Sequence, residues 1–334
     1  MVRLGGNYVA TVEDVVKKSG VSRSTVFRFL NGSNVRADAK KAIIQAMQEL
    51  NYKTDIIYKY HNISIDVSIA KNFEGFQGFT EMVQGITQRA DAKGIHINLV
   101  RHTGEQIVQD YERWNTEKEL KGVIVIGKNK EDEHLEIEML RSKKIPHIFV
   151  NRVFEDNDIS YVSVDLKKAA CDIVNYLIQK GHQKIAVIGK PNQLKVDEDK
   201  MMGYREAFQK NGIEVSEEYF CSVDNSKEWE EKAKELLSAK EIPTAYFGIC
   251  DSHAIKFIHM AENYGFKVPD DIAVVGMDDV EVAAYSSPTL TTIHIPFRKM
   301  GMQAVDQLLQ LIIDKEICCS KTIIGHTLIE RSSS

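Results

Sequence analysis

The sequence contains no run of eighteen apolar residues, so no stretch has the length and character of a membrane-spanning helix. The opening residues, MVRLGGNYVATVEDVV, lack the apolar core of a secretory signal. Both absences point to a cytoplasmic protein that does not contact a membrane. Cysteine is sparse and scattered, at Cys171, Cys221, Cys250, Cys318 and Cys319. None of these falls at metal-ligand or redox spacing, and an odd number of thiols in a chain without a signal reads as reduced. His182 in KGHQKI reads as a turn residue, and His253 and His259 also lack metal spacing. GxSxG, HExxH, GxxxxGK[ST] and GxGxxG are all missing. Nucleophilic, metallo-hydrolytic and nucleotide chemistry therefore have no visible residues, and the chain is read as a non-enzyme with no cofactor and no metal.

What is present is an ordinary globular balance, 43% hydrophobic and 27% charged over 334 residues. That length exceeds one core and predicts two or three domains. Charge is uneven. Residues 1–60 hold ten Lys and Arg against five Asp and Glu, a net of +5, so the remainder carries -10 to reach the chain's -5. A small basic head on an acidic body points to a polyanionic partner for the head alone.

The head carries a helical pattern. In TVEDVVKK, Val12, Val15 and Val16 share a face, Thr11 can cap, and Glu13 and Asp14 lie in the first turn, where the helix dipole favours acids. Gly20 suits a tight left-handed turn. Ser22 then caps SRSTVFRFL, with Val26, Phe29 and Leu30 facing inward until Asn31-Gly32-Ser33 breaks the helix. A third helix, from about Asp38 to Leu50, repeats Ala39, Ile43, Ala46, Met47 and Leu50. Three short helices with a glycine turn between the first two form a helix-turn-helix, whose second helix reads the major groove of double-stranded DNA. Arg23, Ser24 and Arg28 are placed to reach base edges, and arginine can bond guanine O6 and N7 together. Ser22, Thr25 and Asn31 suit phosphate oxygens. Phe27 either touches a thymine methyl or packs.

Beyond residue 63 the pattern changes to short β-branched runs: ISIDVSIA, HINLV, GVIVIG, PHIFV, YVSVD, KIAVIG, AYFGIC, AVVGMD and TTIHI. Amphipathic segments such as KKAACDIVNYLIQKG lie between most of them. This alternation predicts parallel sheets with helices on both faces. Two series, before and after about Val162, predict two lobes with a ligand cleft at the carboxyl ends of their strands.

VEDVVKKSGVSRSTVFRFLNG and ELNY resemble the headpiece of the lactose-repressor (LacI/GalR) family of bacterial transcriptional regulators. KGHQKIAVIG, MMGYREAF, VPDDIAVVGMDD, SPTLTTIHIP and LIERSSS are similar to its effector domain, in order, so the resemblance covers nearly the whole chain. It implies an all-α helix-turn-helix headpiece followed by an α/β two-lobe, periplasmic-binding-protein-like (type I) effector domain. The expected division is a DNA-binding domain at 1–56, a linker at 57–62 and an effector-binding and dimerisation domain at 63–334. Within that domain the first lobe is about 63–161 plus 294–316, and the second about 162–293 plus 317–334. The resemblance also implies Phe76, Gln77, Phe79, Lys200, Cys250 and Asp278 as effector contacts. Lys200 replaces an arginine, while Cys250 and Leu166 each replace an asparagine. The linker TDIIYKYHN lacks the family's proline and its minor-groove leucine, and Ile56, Ile57 or Tyr58 can substitute as wedge.

The function implied is a homodimeric regulator, most simply a repressor, that binds a palindromic operator. A sugar or related metabolite bound between the lobes would control it. The alternative is a ligand-binding protein whose head is vestigial or binds DNA without specificity.

Overall fold

The computed structural model describes residues 10–30, 35–50, 52, 63–69, 78–101, 103–114, 120–127, 129–314 and 316–334. Three helices make the head: α1 (Val12–Ser19), α2 (Arg23–Leu30) and α3 (Ala37–Glu49). Thr11 and Asp14 close a reciprocal capping box on α1, and Gly20 ends that helix in the left-handed conformation at φ 68°. The Ser22 hydroxyl accepts from the Thr25 amide at 3.3 Å, capping α2. Val15, Val26, Leu30, Ile43 and Ala46 form the buried centre, with Val12, Val16, Phe29, Met47 and Leu50 packed around it. Nearly every apolar position assigned from helical spacing therefore lies in or against this core.

The body begins with β1 (Ile63–Ile69), α4 (Phe79–Asp91), β2 (His96–Arg101), α5 (Glu105–Trp114), β3 (Leu120–Ile126), α6 (Lys130–Ser142), β4 (His147–Val150) and β5 (Tyr161–Val164). It continues with α7 (Leu166–Gln179), β6 (Ile185–Gly189), α8 (Lys195–Lys210), β7 (Phe220–Ser222), α9 (Ser226–Ser238), β8 (Ala245–Gly248), α10 (Asp251–Asn263) and β9 (Ala273–Asp278). The last elements are β10 (Thr291–His294), α11 (Phe297–Ile313), β11 (Lys321–Ile324) and β12 (Thr327–Ile329). Two six-stranded sheets result, ordered β11-β5-β4-β3-β1-β2 and β12-β10-β9-β8-β6-β7. Their pairings are parallel except for β10 with β12. Most of the β-branched runs thus become buried parallel strands sandwiched by helices, whereas the edge strand β2 is largely exposed. One apolar core runs from Ile65 and Val67 of the first sheet to Val187 and Phe247 of the second.

The lobe boundaries differ from expectation at two places. Tyr161–Val164 pairs parallel with β4, so the expected division at 162 falls inside a strand of the first sheet. Lys321–Ile324 pairs with β5, which puts this segment in the first lobe rather than the second. Both shifts follow from long-range pairing, because strands of four residues carry little periodic signal of their own. The linker expected at 57–62 and the boundary at 56 lie outside the described residues.

Candidate functional site

Parallel strands deliver their C-terminal residues to one edge of each sheet, where ligands of such sheets bind. On the second lobe, β9 ends in Asp278 at φ 128° and continues to Asp279 at φ 58°, both in the region that L-residues rarely adopt. This corner is braced from several sides. Asp251, fully buried at the start of α10, accepts from the Val280 amide at 2.9 Å and from the Thr292 hydroxyl at 2.5 Å. Arg331 donates to Asp279 at 2.7 Å, and His294 Nδ1 lies 3.0 Å from the other oxygen of the same carboxylate. A Cβ on Gly276 would stand 2.3 Å from Asp251 Oδ1, so only glycine lets α10 approach β9 this closely.

Lys200, from the first turns of α8, reaches this corner. Its ammonium donates to the Ile249 carbonyl at 2.6 Å and lies 3.7 Å from Asp278 Oδ1, both side chains being buried. Burial lifts the Asp278 carboxyl well above the usual carboxylate range, against the opposing pull of Lys200. Burial also works against the Lys200 charge, but Asp278, Cys250, Asp197 and Asp251 outweigh it and hold the ammonium protonated. Cys250 precedes α10, with Sγ 3.2 Å from the Ser252 hydroxyl, and burial raises its thiol. Of the expected effector contacts, Lys200, Cys250 and Asp278 are therefore gathered into one electrostatic cluster. Phe79, the first residue of α4, instead packs against the main core. Phe76 and Gln77 lie outside the described residues.

Sequence reasoning missed two neighbours on the first lobe. Asn151 and Arg152 directly follow β4, which is the position that the strand-end rule selects. Asn151 sits at φ 62°, and its buried Oδ1 has no hydrogen-bond partner among the described residues. Arg152 forms a two-pronged ion pair with Glu133 of α6, at 2.6 and 2.5 Å. Its Nη1 is buried without a hydrogen bond and faces Asp199 of α8 at 3.8 Å, across the gap between lobes. Lys130 of α6 pairs with Glu198 of α8 at 2.9 Å, a second bridge on the same side. A separate cavity of about 880 Å³ lies between α4 and the 3-10 turn Glu281–Ala284, lined by Thr80, Gln84, Val282, Tyr285 and Arg298 among others. It does not include the Lys200 cluster.

In the head, Arg23, Ser24 and Arg28 lie on exposed positions of α2, with Ser22 just before it. Ser22 links by hydroxyl contacts to Ser24 at 3.1 Å and to Thr25 at 2.8 Å. Phe27 is half-buried, and the Arg23 guanidinium stands 5.4 Å from its ring centre. Asn31 lies outside the described residues.

Residues 11–55 match the model of bacterial regulatory proteins of the lacI family, and residues 174–334 match a periplasmic binding protein-like domain. The chain thus joins a segment like the lacI-family helix-turn-helix to a body like a periplasmic binding protein. It is 28% identical to the HTH-type transcriptional repressor PurR of Photobacterium profundum, over 92% of this chain and 93% of that one. It is 27% identical to catabolite control protein A of Priestia megaterium, over 97% and 99% of the two chains. Among solved structures, the lac repressor dimer bound to operator and the anti-inducer ONPF superposes with a TM-score of 0.72, at 24% identity over 98% and 99%. The regulator CelR in its cellobiose complex gives 0.73, at 24% identity over 97% and 100%. These two likenesses concern the fold. No described helix is long and apolar enough to cross a membrane, and the described residues hold no cluster of three or more potential metal ligands.

Proposed function

We propose that this chain is a sequence-specific DNA-binding transcriptional repressor of the lacI type, working in the cytoplasm as a homodimer under the control of a small molecule bound between its lobes. The observation that carries this reading is one chain holding both an exposed recognition helix and a buried Lys200–Asp278 pair at a strand-end corner of the body. Arg23, Ser24 and Arg28 read bases, while Ser22 and Thr25 seat the helix on phosphates. In the body, the Asp278 carboxyl and the Lys200 ammonium, 3.7 Å apart, hydrogen-bond ligand hydroxyls. Asn151 and Arg152 offer an acceptor and a donor from the opposite lobe. A polyol or sugar-like metabolite satisfies both sides at once. The structural relative with cellobiose bound fits that class.

Val282 and Tyr285 are large apolar side chains left 50% and 78% exposed, and the second subunit would cover them. The effector shifts DNA affinity only by as much as it prefers one lobe arrangement over the other.

The test is selection of bound duplexes from a random pool at about 50 mM salt, where phosphate contacts are strong. A palindromic motif supports the proposal and supplies the probe for screening metabolites. Salt-sensitive retention without a motif would favour a ligand-binding protein with a non-specific head.

A further inference from the structure

Arg23 is not held as a simple phosphate-neutralising charge would be. Its Nη2 pairs with Glu13 Oε1 of the preceding helix at 2.9 Å, and its guanidinium stands 5.4 Å from the Phe27 ring centre. Both charged side chains remain largely exposed, at 69% and 60%. A carboxylate on a DNA-facing surface repels the phosphate backbone and subtracts from affinity for every sequence. Its presence at this point therefore needs a compensating role. Orientation supplies one. A guanidinium has five N–H donors in a fixed plane. Glu13 occupies Nη2 from one side and Phe27 limits the swing from another, while enough donors stay open for guanine O6 and N7.

We infer that Glu13 and Phe27 position the Arg23 guanidinium, making Glu13 a specificity-determining residue that lowers general DNA affinity while sharpening the preference for guanine. This inference rests on the DNA-binding reading above and concerns one base position within it. The acceptor oxygen on Glu13 is the essential feature, and its charge is the accompanying cost. Thr25 and Ser22 bond to one another at 2.8 Å and leave Arg23 to this restraint.

The experiment compares selected-duplex profiles and affinity for random-sequence duplex among the full-length wild type, Glu13→Ala, Glu13→Gln, Arg23→Ala and the double variant Arg23→Ala/Glu13→Ala. Exposed pairs of this kind couple by about two- to fivefold. Glu13→Ala is therefore expected to flatten guanine preference at one position by that factor while raising affinity for random duplex. Glu13→Gln retains the acceptor oxygen, so it should raise random affinity and keep most of the preference. In the Arg23→Ala background, loss of Glu13 should change no base preference. Identical behaviour of Glu13→Ala and Glu13→Gln, with affinity raised equally on all sequences and the motif intact, would overturn the inference and leave Glu13 a plain repulsive charge. A wild type that selects no motif overturns the DNA-binding reading itself, which is a separate outcome. Glu13 is an exposed first-turn residue, and alanine and glutamine both suit a helix, so the variants fold.

Discussion

Arg152 offers the clearest energetic test of the site. It and Glu133 form a two-pronged pair with side chains only 11% and 9% exposed, so water screens neither charge well. Replacing Arg152 with Met keeps the stem that packs near the Phe154 ring, 4.9 Å from the guanidinium, but strands the Glu133 carboxylate. Breaking one side of a buried pair costs about 3–5 kcal/mol. The remaining exposure places this case near the lower end, about 3 kcal/mol. For a domain of this size that corresponds to a fall in Tm of roughly 6–12 °C. Glu133→Gln alone should also destabilise, because Arg152 then loses its counter-ion. The double variant Arg152→Met/Glu133→Gln should recover most of the loss and finish within about 1 kcal/mol of wild type, since no uncompensated charge remains. Calorimetry on the four proteins closes the cycle. A loss under about 1 kcal/mol in the single variants, simply additive in the double, would refute the claim that these charges are desolvated and coupled.

Other outcomes follow from the same geometry. Burial lifts the Asp251 carboxyl to about 6, against its hydrogen bonds from Thr292 and Val280. A carboxyl raised in the fold contributes stability at low pH that is lost as pH rises, here roughly 3 kcal/mol between about pH 4 and pH 6. Urea titrations at pH 4.5 and pH 7 should show that slope reduced in Asp251→Asn (about 3 kcal/mol at most). Gly276→Ala drives a Cβ to 2.3 Å from Asp251 Oδ1, and should cost about 1–3 kcal/mol in denaturant unfolding. Arg28→Ala should relax base preference by about 1–3 kcal/mol at one position, whereas Ser22→Ala should weaken binding on all sequences, as read by competition on the selected motif. Tyr285→Glu should shift sedimentation from dimer toward monomer, because it replaces an exposed aromatic side chain assigned to the subunit contact with a charge.

The head was almost wholly legible in the sequence because its information is local. Period 3.6 marks each buried face, and Thr11, Gly20 and Ser22 carry the caps and the turn in their own chemistry. The body was legible as a class but less so in connectivity. Strands β7, β11 and β12 have three or four residues each, too few for alternation to register. Sheet membership there can be decided by a partner more than a hundred residues away, as Lys321 opposite Tyr161 illustrates. At the site, Lys200, Cys250 and Asp278 were reached through resemblance. Asn151 and Arg152 were within reach of the strand-end rule applied to PHIFV, without any resemblance. The partners that give them meaning, Glu133 on a distant helix and Asp199 on the other lobe, leave no sequence trace.

The chain passes between the lobes at three places: after Val164, after His294 and between Ile324 and Thr327. A single covalent connection would let one lobe swivel in any direction. Three tethers restrict the relative motion of the lobes far more than one would, in the manner of a hinge. A ligand entering the gap then orders lobes whose relative motion is already restricted, which lowers the entropy that opposes binding. The same constraint makes signalling directional. A rotation of the first lobe about the tethers changes the distance from Arg152 to Asp199, like a door on three pins.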